Sequence, residues 1–252
     1  MNKTALITGA TSGIGKACAK LLAKNNFDVI LTGRRSELLK KVEADIRNES
    51  HSDTHSLCFD IRDNNEVTES INSLSGKWKN IDVLINNAGL AAGFNRINEG
   101  DLLDWEQMID TNIKGLLYIS RMISPIMVNR NAGHIINIGS IAGKEVYENG
   151  NVYCATKHAV DALTKGMRID LVDYNIKVTS ISPGAVETEF SIVRFHGDKK
   201  KADQVYEGFT PLYENDIAEA VLFALSRPAH VNINDILIMP TAQANASKLI
   251  RK

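Results

Sequence analysis

Short unbroken runs of apolar, β-branched residues alternate along this chain with longer stretches whose apolar positions recur every three or four residues. The runs predict strands at Ala5–Thr8, Asp28–Thr32, Ser56–Phe59, Val83–Asn86, His134–Ile138, Lys177–Ile181 and Asp235–Met239. The longer stretches predict helices at Gly13–Lys24, Ser36–Arg47, Asn65–Leu74, Trp105–Val128, Val152–Asp173 and Asn215–Ser226. In the fifth of these, Val152, Ala155, Ala159, Ala162, Leu163, Met167 and Leu171 form one apolar stripe. Val83, Leu84 and Ile85 carry no polar alternation, as a strand covered on both faces requires. Alternating strands and helices joined by right-handed crossovers build a parallel sheet between helical layers. The expected fold class is therefore α/β: a doubly wound parallel sheet of about seven strands with helices on both faces.

No Pro-, Gly- or Ser-rich linker and no repeat interrupts this rhythm, so a single domain is expected over 1–252. The polar segment Glu187–Glu214, with Gly197 and Gly208, is expected to be a lid over the substrate at about 187–214. The residues from about 240 to 252 are expected to be a C-terminal tail.

With 29 Lys and Arg against 30 Asp and Glu, the formal charge of −1 argues against nucleic-acid binding, which needs a clustered basic excess. The run Lys199-Lys200-Lys201 lies between Asp198 and Asp203 and reads as a solvated loop. No apolar stretch approaches the ~20 residues that span a bilayer, so no membrane partner is expected. Cys18, Cys58 and Cys154 are odd in number and widely spaced, and the histidines show no metal-ligand spacing. No metal is expected, and a reducing cytoplasm fits. Gly9 follows only a short apolar run, so no secretory leader is expected either.

Directly after the first predicted strand comes Gly9-Ala-Thr11-Ser12-Gly13-Ile14-Gly15, then a helix. Small residues permit a tight turn whose N–H groups approach a pyrophosphate, and the helix N-terminus adds roughly half a positive charge. An NAD reader places an acid about 20 residues on, at the end of the second strand. Here that strand ends in Gly33-Arg34-Arg35. Two planar, permanently charged guanidiniums suit a phosphate, which favours NADP(H) over NAD(H).

Tyr153 and Lys157 stand four apart in a predicted helix, on one face. A free phenol has a pKa of ~10, and a neighbouring ammonium is expected to lower it, so that Tyr153 can give or take a proton. Ser140 follows a predicted strand through Gly139, where its hydroxyl can hold a carbonyl, although a turn serine would look the same. Asn112 is a poor helix former inside a helical pattern; it can kink that helix and bind water behind Lys157, or be a satisfied buried amide. Cys154 and His158 adjoin Tyr153 and Lys157 but point about 100° away from them, and so are expected to pack.

Thr8-Gly-Ala-Thr-Ser-Gly-Ile-Gly15, Asn86-Asn-Ala-Gly89, Asn112, Ser140, Tyr153-x-x-x-Lys157 and Pro183-Gly184 occur in the order found in short-chain dehydrogenases/reductases, which the chain resembles over nearly its whole length. The resemblance implies a Rossmann-type domain, usually a homotetramer. By the same likeness Tyr153 is the general acid/base, Lys157 its partner and a contact to the nicotinamide ribose, Ser140 the carbonyl holder and Asn112 part of a proton relay. It further implies that Asp60 and Ile61 contact adenine, that Asn87 lines the adenosine ribose, and that Ala88 and Gly89 bind the cofactor. The stretch from Pro183 and Gly184 through Val186 to Thr188 would meet the nicotinamide. Asp104–Asn112, Gly150–Tyr153, Glu189–Phe195 and Pro228–Asn234 narrow the resemblance to NADP-dependent 3-hydroxy acid dehydrogenases, acting on serine, L-allo-threonine and 3-hydroxypropionate.

Such a hydroxy or oxo acid wants a guanidinium for its anionic group. Arg194 in the polar segment is expected to clamp that group while Tyr147 orients it; a solvated Arg194, or one on a cofactor phosphate, is the competing reading. The rival functions are reduction of another small carbonyl (sulfoacetaldehyde, a diketone or a sugar) and an NADP-sensing module without turnover.

Overall fold

In the computed structural model, which describes residues 2–252, the apolar runs form β1 (Lys3–Ile7), β2 (Phe27–Gly33), β3 (Thr54–Cys58), β4 (Val83–Asn86), β5 (Gly133–Ile138), β6 (Ile176–Pro183) and β7 (Asp235–Ile238). All pair in parallel, in the order β3-β2-β1-β4-β5-β6-β7. The chain starts mid-sheet, winds out to β3, then returns past β1 to place β4. This reversal leaves a crevice at the carboxyl ends of β1 and β4, where α/β sheets take ligands.

Successive side chains of a strand point to opposite faces, so each strand feeds two cores. Ala5, Ile7, Val29, Leu31, Val83 and Ile85 pack with α1 (Gly13–Lys24), α2 (Ser36–Glu49) and α9 (Glu214–Leu225). Leu6, Ile30, Leu84, Ile135 and Val178 face the other way, onto α3 (Asn64–Asn72), α5 (Leu116–Arg130) and α6 (Asn151–Leu171). This two-sided burial is why the strands read as unbroken apolar runs.

Three expectations need correction. The single helix predicted over Trp105–Val128 is α4 (Leu102–Ile109) and α5 joined by a π-helical turn at Asp110–Gly115. Thr111 and Asn112 are buried in that turn, which inserts polar side chains where a regular helix would present one apolar face. Second, the lysine run expected as a loop is helical, within a segment from Glu187 to Glu214 that contains α7 (Phe190–Arg194) and α8 (Lys199–Gln204). The lysine run is the first turn of α8, capped by Asp198, whose carboxylate accepts from Lys201 N at 3.1 Å. Third, the residues after Pro240 return to the fold. Gln243 Oε1 accepts from Ala185 N at 2.9 Å, and Lys252 N donates to Gly208 O at 2.8 Å. Arg251 donates to the carbonyls of Gln204, Val205 and Glu207, closing the open end of α8. Among the described residues no helix is long and apolar enough to cross a membrane. Cys18, Cys58 and Cys154 are free thiols.

Candidate active site

Thr8 ends the run of β1, and its buried hydroxyl ties the glycine-rich turn to the loop after β4. Oγ1 donates to Ile85 O (3.3 Å) and accepts from the N–H groups of Asn87 (3.0 Å) and Ala88 (2.9 Å). Asn87 answers by donating its amide to the carbonyls of Thr8 (2.8 Å) and Gly9 (3.2 Å). Only a glycine fits this weave at Gly15, where a Cβ would lie 2.4 Å from both Asn87 Nδ2 and Gly9 O. Gly9 and Gly13 adopt φ of +66° and +50°, a region most side chains avoid. The first turn of α1 has no acid and receives no side-chain cap from Ser12, so its N–H groups remain available to an anion.

Beside that turn stand the two arginines. Arg35 donates to Thr11 Oγ1 at 2.7 and 3.2 Å and to Ser12 Oγ at 2.8 Å, and pairs with Glu189 at 3.1 Å. Arg34 is half exposed and lies 3.5 Å from Asp60 Oδ2. A glycine turn with uncapped N–H groups and two flanking guanidiniums matches the donor set a dinucleotide with an extra phosphate needs.

A cleft of about 700 Å³ runs from these arginines past Asp60, Ile61, Ala88 and Gly89 to Ser140, Tyr153, Lys157 and Arg194. Pro183, Gly184, Val186 and Thr188 form its far wall. Two sequence-predicted residues lie behind the lining. Gly15 packs under the turn, and Asn112 grips Leu90 from the rear, accepting from its N–H and donating to its carbonyl, both at 2.8 Å, with Thr156 Oγ1 at 3.0 Å. The Asn112 side chain is thus a satisfied buried amide that shapes the wall.

Tyr153 and Lys157 share one face of α6, both buried. The Lys157 ammonium turns to the end of β5 and donates to Ile138 O at 2.9 Å, and burial lowers its pKa to about 8. Burial pushes the Tyr153 phenol up from its ordinary value, with Tyr147 adding to the rise; Arg194 and the Ser140 hydroxyl draw it back. Arg194 is a cation beside this phenol, its guanidinium carbon 5.0 Å from the ring centroid. Ser140, at the carboxyl end of β5, also accepts from Ala142 N at 3.0 Å, which sets its hydroxyl in the cleft.

Arg194 closes α7, and its guanidinium sits among four rings, with its carbon 5.0 Å from the Tyr153 centroid, 5.3 Å from Phe190, 5.7 Å from Phe94 and 5.9 Å from Tyr147. One terminal nitrogen donates to Tyr147 Oη at 2.7 Å, while the buried Nε has no partner. Arg194 and Tyr147, paired in the sequence reading, are therefore in contact. Phe94 and Phe190 escaped that reading because neither falls in a periodic segment. Thr8 was visible in the motif, but only its buried hydroxyl reveals its role. Cys154 is buried beneath Tyr153, and His158 Nδ1 lies 2.9 Å from Cys154 O, on the flank of the helix.

Comparison with known proteins agrees with this geometry. The profile of the family described as short chain dehydrogenase matches residues 3–198. A protein of Haemophilus influenzae named a probable NADP-dependent dehydrogenase is 46% identical over 250 residues, covering 99% of this chain and 98% of its own. The NADP-dependent 3-hydroxy acid dehydrogenase of Schizosaccharomyces pombe is 43% identical over 251 residues, covering 99% and 97%. Among solved structures, the closed form of a serine dehydrogenase complexed with NADP+ superposes with a TM-score of 0.93 at 42% identity, covering 99% of both chains. The chain belongs to the short-chain dehydrogenase family.

Proposed function

We propose that this NADP(H)-dependent oxidoreductase acts on short 3-hydroxy acids of the serine, allo-threonine and 3-hydroxypropionate type. The observation that carries the reading is Arg194: a guanidinium among four rings, with a buried N–H lacking a partner, beside the phenol that would handle the proton. Placing a cation there is costly unless an anion completes it, and a carboxylate offers the bidentate match. Relatives over 40% identical along their whole length, named for 3-hydroxy acids and serine, support the same reading.

Bound NADP(H) supplies or accepts the hydride. Arg194, with Tyr147 beside it, holds the acid group and so fixes which carbon of the substrate faces the nicotinamide side of the cleft. Ser140 donates to the substrate oxygen. Tyr153, kept neutral by burial, hands its proton to that oxygen as negative charge develops, and recovers it in the oxidative direction. Lys157 binds the ribose of the nicotinamide. Asn112 serves from behind as part of the proton relay, at the π-helical turn that interrupts the regular hydrogen-bond ladder. At the other end, Arg34 and Arg35 hold the extra phosphate, and Asp60, Ile61 and Asn87 bound the adenosine. A cytoplasmic homotetramer belongs to the same proposal. Leu102, Leu103 and Leu117, exposed on α4 and α5, supply apolar surface for it.

A sulfonate carries the same charge, so sulfoacetaldehyde is the second substrate class Arg194 favours; diketones and sugars lack an anion for it. The test is nicotinamide absorbance in both directions with serine, allo-threonine, 3-hydroxypropionate, sulfoacetaldehyde, a diketone and a sugar, beside Tyr153→Phe. Turnover of the hydroxy acids that Tyr153→Phe abolishes is expected. Cofactor binding with no turnover of any compound would instead make the chain a sensing module.

A further inference from the structure

Arg194 can select an acid only if its guanidinium stays among the rings, yet α7, which carries it, has five residues and cannot hold its own geometry. Ser191 Oγ, 2.7 Å from Tyr206 Oη, ties its start, and three contacts hold its C-terminal end. Gly93 N donates to Arg194 O at 3.0 Å. Arg194 itself bonds Tyr147. Two residues on, His196 turns into the left-handed region (φ +52°) and brings Nε2 to 3.1 Å from Asp104 Oδ2. Asp104 is a buried carboxylate in the first turn of α4. The loop leaves room for it: a Cβ on Gly93, itself at φ +71°, would lie 2.7 Å from Asp104 Oδ2.

We infer that Asp104 and His196 form a positioning pair that fixes Arg194 over Tyr153 and thereby sets the preference for acidic substrates. Neither residue touches the reacting atoms. Asp104 is anchored in a regular helix, and His196 carries that anchorage to the end of the lid helix. The main-chain bond from Gly93 then defines the height of Arg194 above the phenol. The inference rests on the acid-clamp reading of Arg194 and adds what holds the clamp in place.

His196→Asn is the informative variant, because asparagine tolerates the left-handed backbone but is too short to reach Asp104. Asp104→Asn is its partner, retaining an acceptor of the same shape. Each is compared with wild type and with Arg194→Ala, using a 3-hydroxy acid and a neutral secondary alcohol, with thermal melts as a folding control. A displacement of the clamp by a fraction of its reach is expected to raise KM for the acid about tenfold in His196→Asn, since misplacements of about 1 Å cost up to 100-fold. The kcat for the acid and the KM for the alcohol are expected to stay within twofold, and Asp104→Asn to recover most of the acid KM. An unchanged acid KM in His196→Asn, or equal rises for acid and alcohol, would overturn the positioning pair while leaving the clamp intact. Should Arg194→Ala itself leave acid selectivity unchanged, the clamp reading falls, and the function assigned to the pair falls with it.

Discussion

The guanidinium carbon of Arg194 lies 5.0 Å from the ring centroid of Tyr153, nearer than to any of the other three rings around it. One side chain therefore meets two needs. Its charge is available to a substrate anion, and it also lowers the cost of a phenolate at Tyr153, which burial otherwise raises. Lys157, one helical turn away, donates to Ile138 O, which holds its ammonium at the end of β5.

The pH profile should register this division. Because burial raises the Tyr153 pKa, the oxidative direction, which needs the phenolate, is expected to accelerate as pH rises above neutrality. Removing a cation that lowers the pKa moves that rise to still higher pH. Profiles of kcat against pH for a neutral alcohol in wild type and Arg194→Met check it; superimposable curves would contradict the electrostatic link.

Lys157 is expected to be costly to stability as well as needed for activity. Its folded pKa of about 8 lies below the ordinary 10.5, so below about pH 8 burying the ammonium destabilises the fold by about 3 kcal/mol. Between these values the unfolded chain binds more protons, so this penalty fades as pH rises through that window. Lys157→Met should be inactive, yet more stable than wild type at pH 7 by about 2 kcal/mol once loss of the Ile138 hydrogen bond is counted. The gain should shrink toward pH 10. Urea unfolding at the two pH values measures it.

Two glycines should respond in opposite senses to the same substitution. At Gly15 a methyl group would collide with Gly9 O and the Asn87 amide, so Gly15→Ala is expected to cost about 2–3 kcal/mol and weaken cofactor binding. Gly166 lies inside α6 with nothing within 4 Å of an added Cβ, and Gly166→Ala should stabilise by up to about 1 kcal/mol. Thermal melts separate the two.

Arg34 and Arg35 carry the expectation for cofactor choice. Arg34→Asp should weaken NADP+ binding by about 30-fold or more, through lost attraction and added repulsion, while improving NAD+. Equilibrium titration with 2′,5′-ADP and 5′-AMP tests the phosphate contact alone. Equal affinities in wild type and variant would remove Arg34 from the phosphate site.

What the sequence disclosed about this molecule follows from where its physics is local. Val83–Ile85 and Ala5–Ile7 betray strands covered on both faces because each side chain is buried in one of two cores. The glycines at 9, 13 and 15 were legible because backbone conformation leaves a residue-type mark. Boundaries were less so: Leu102 and Leu103 begin α4 yet are exposed, so they carry no stripe. The π-helical turn was legible only in part: Asn112 marks a break in the helix, but the partners of its amide, Leu90 and Thr156, lie far away in sequence. In α7 and α8 there are too few residues for a period: α7 leans on Tyr206, whose hydroxyl lies 2.7 Å from Ser191 Oγ, and the end of α8 leans on Arg251. Helical spacing put Tyr153 and Lys157 on one face but could not foresee the bond of Lys157 to Ile138 O or the guanidinium of Arg194 beside the phenol.

Substrate discrimination by Arg194→Ala tests the central claim most directly. The ratio of kcat/KM for a 3-hydroxy acid to that for a neutral secondary alcohol of the same length is measured in wild type and variant. Loss of a desolvated charge partner is expected to lower that ratio about 100-fold, mainly through KM for the acid. A ratio that stays the same would mean that Arg194 does not hold the acid group, and that the basis proposed for substrate choice is wrong.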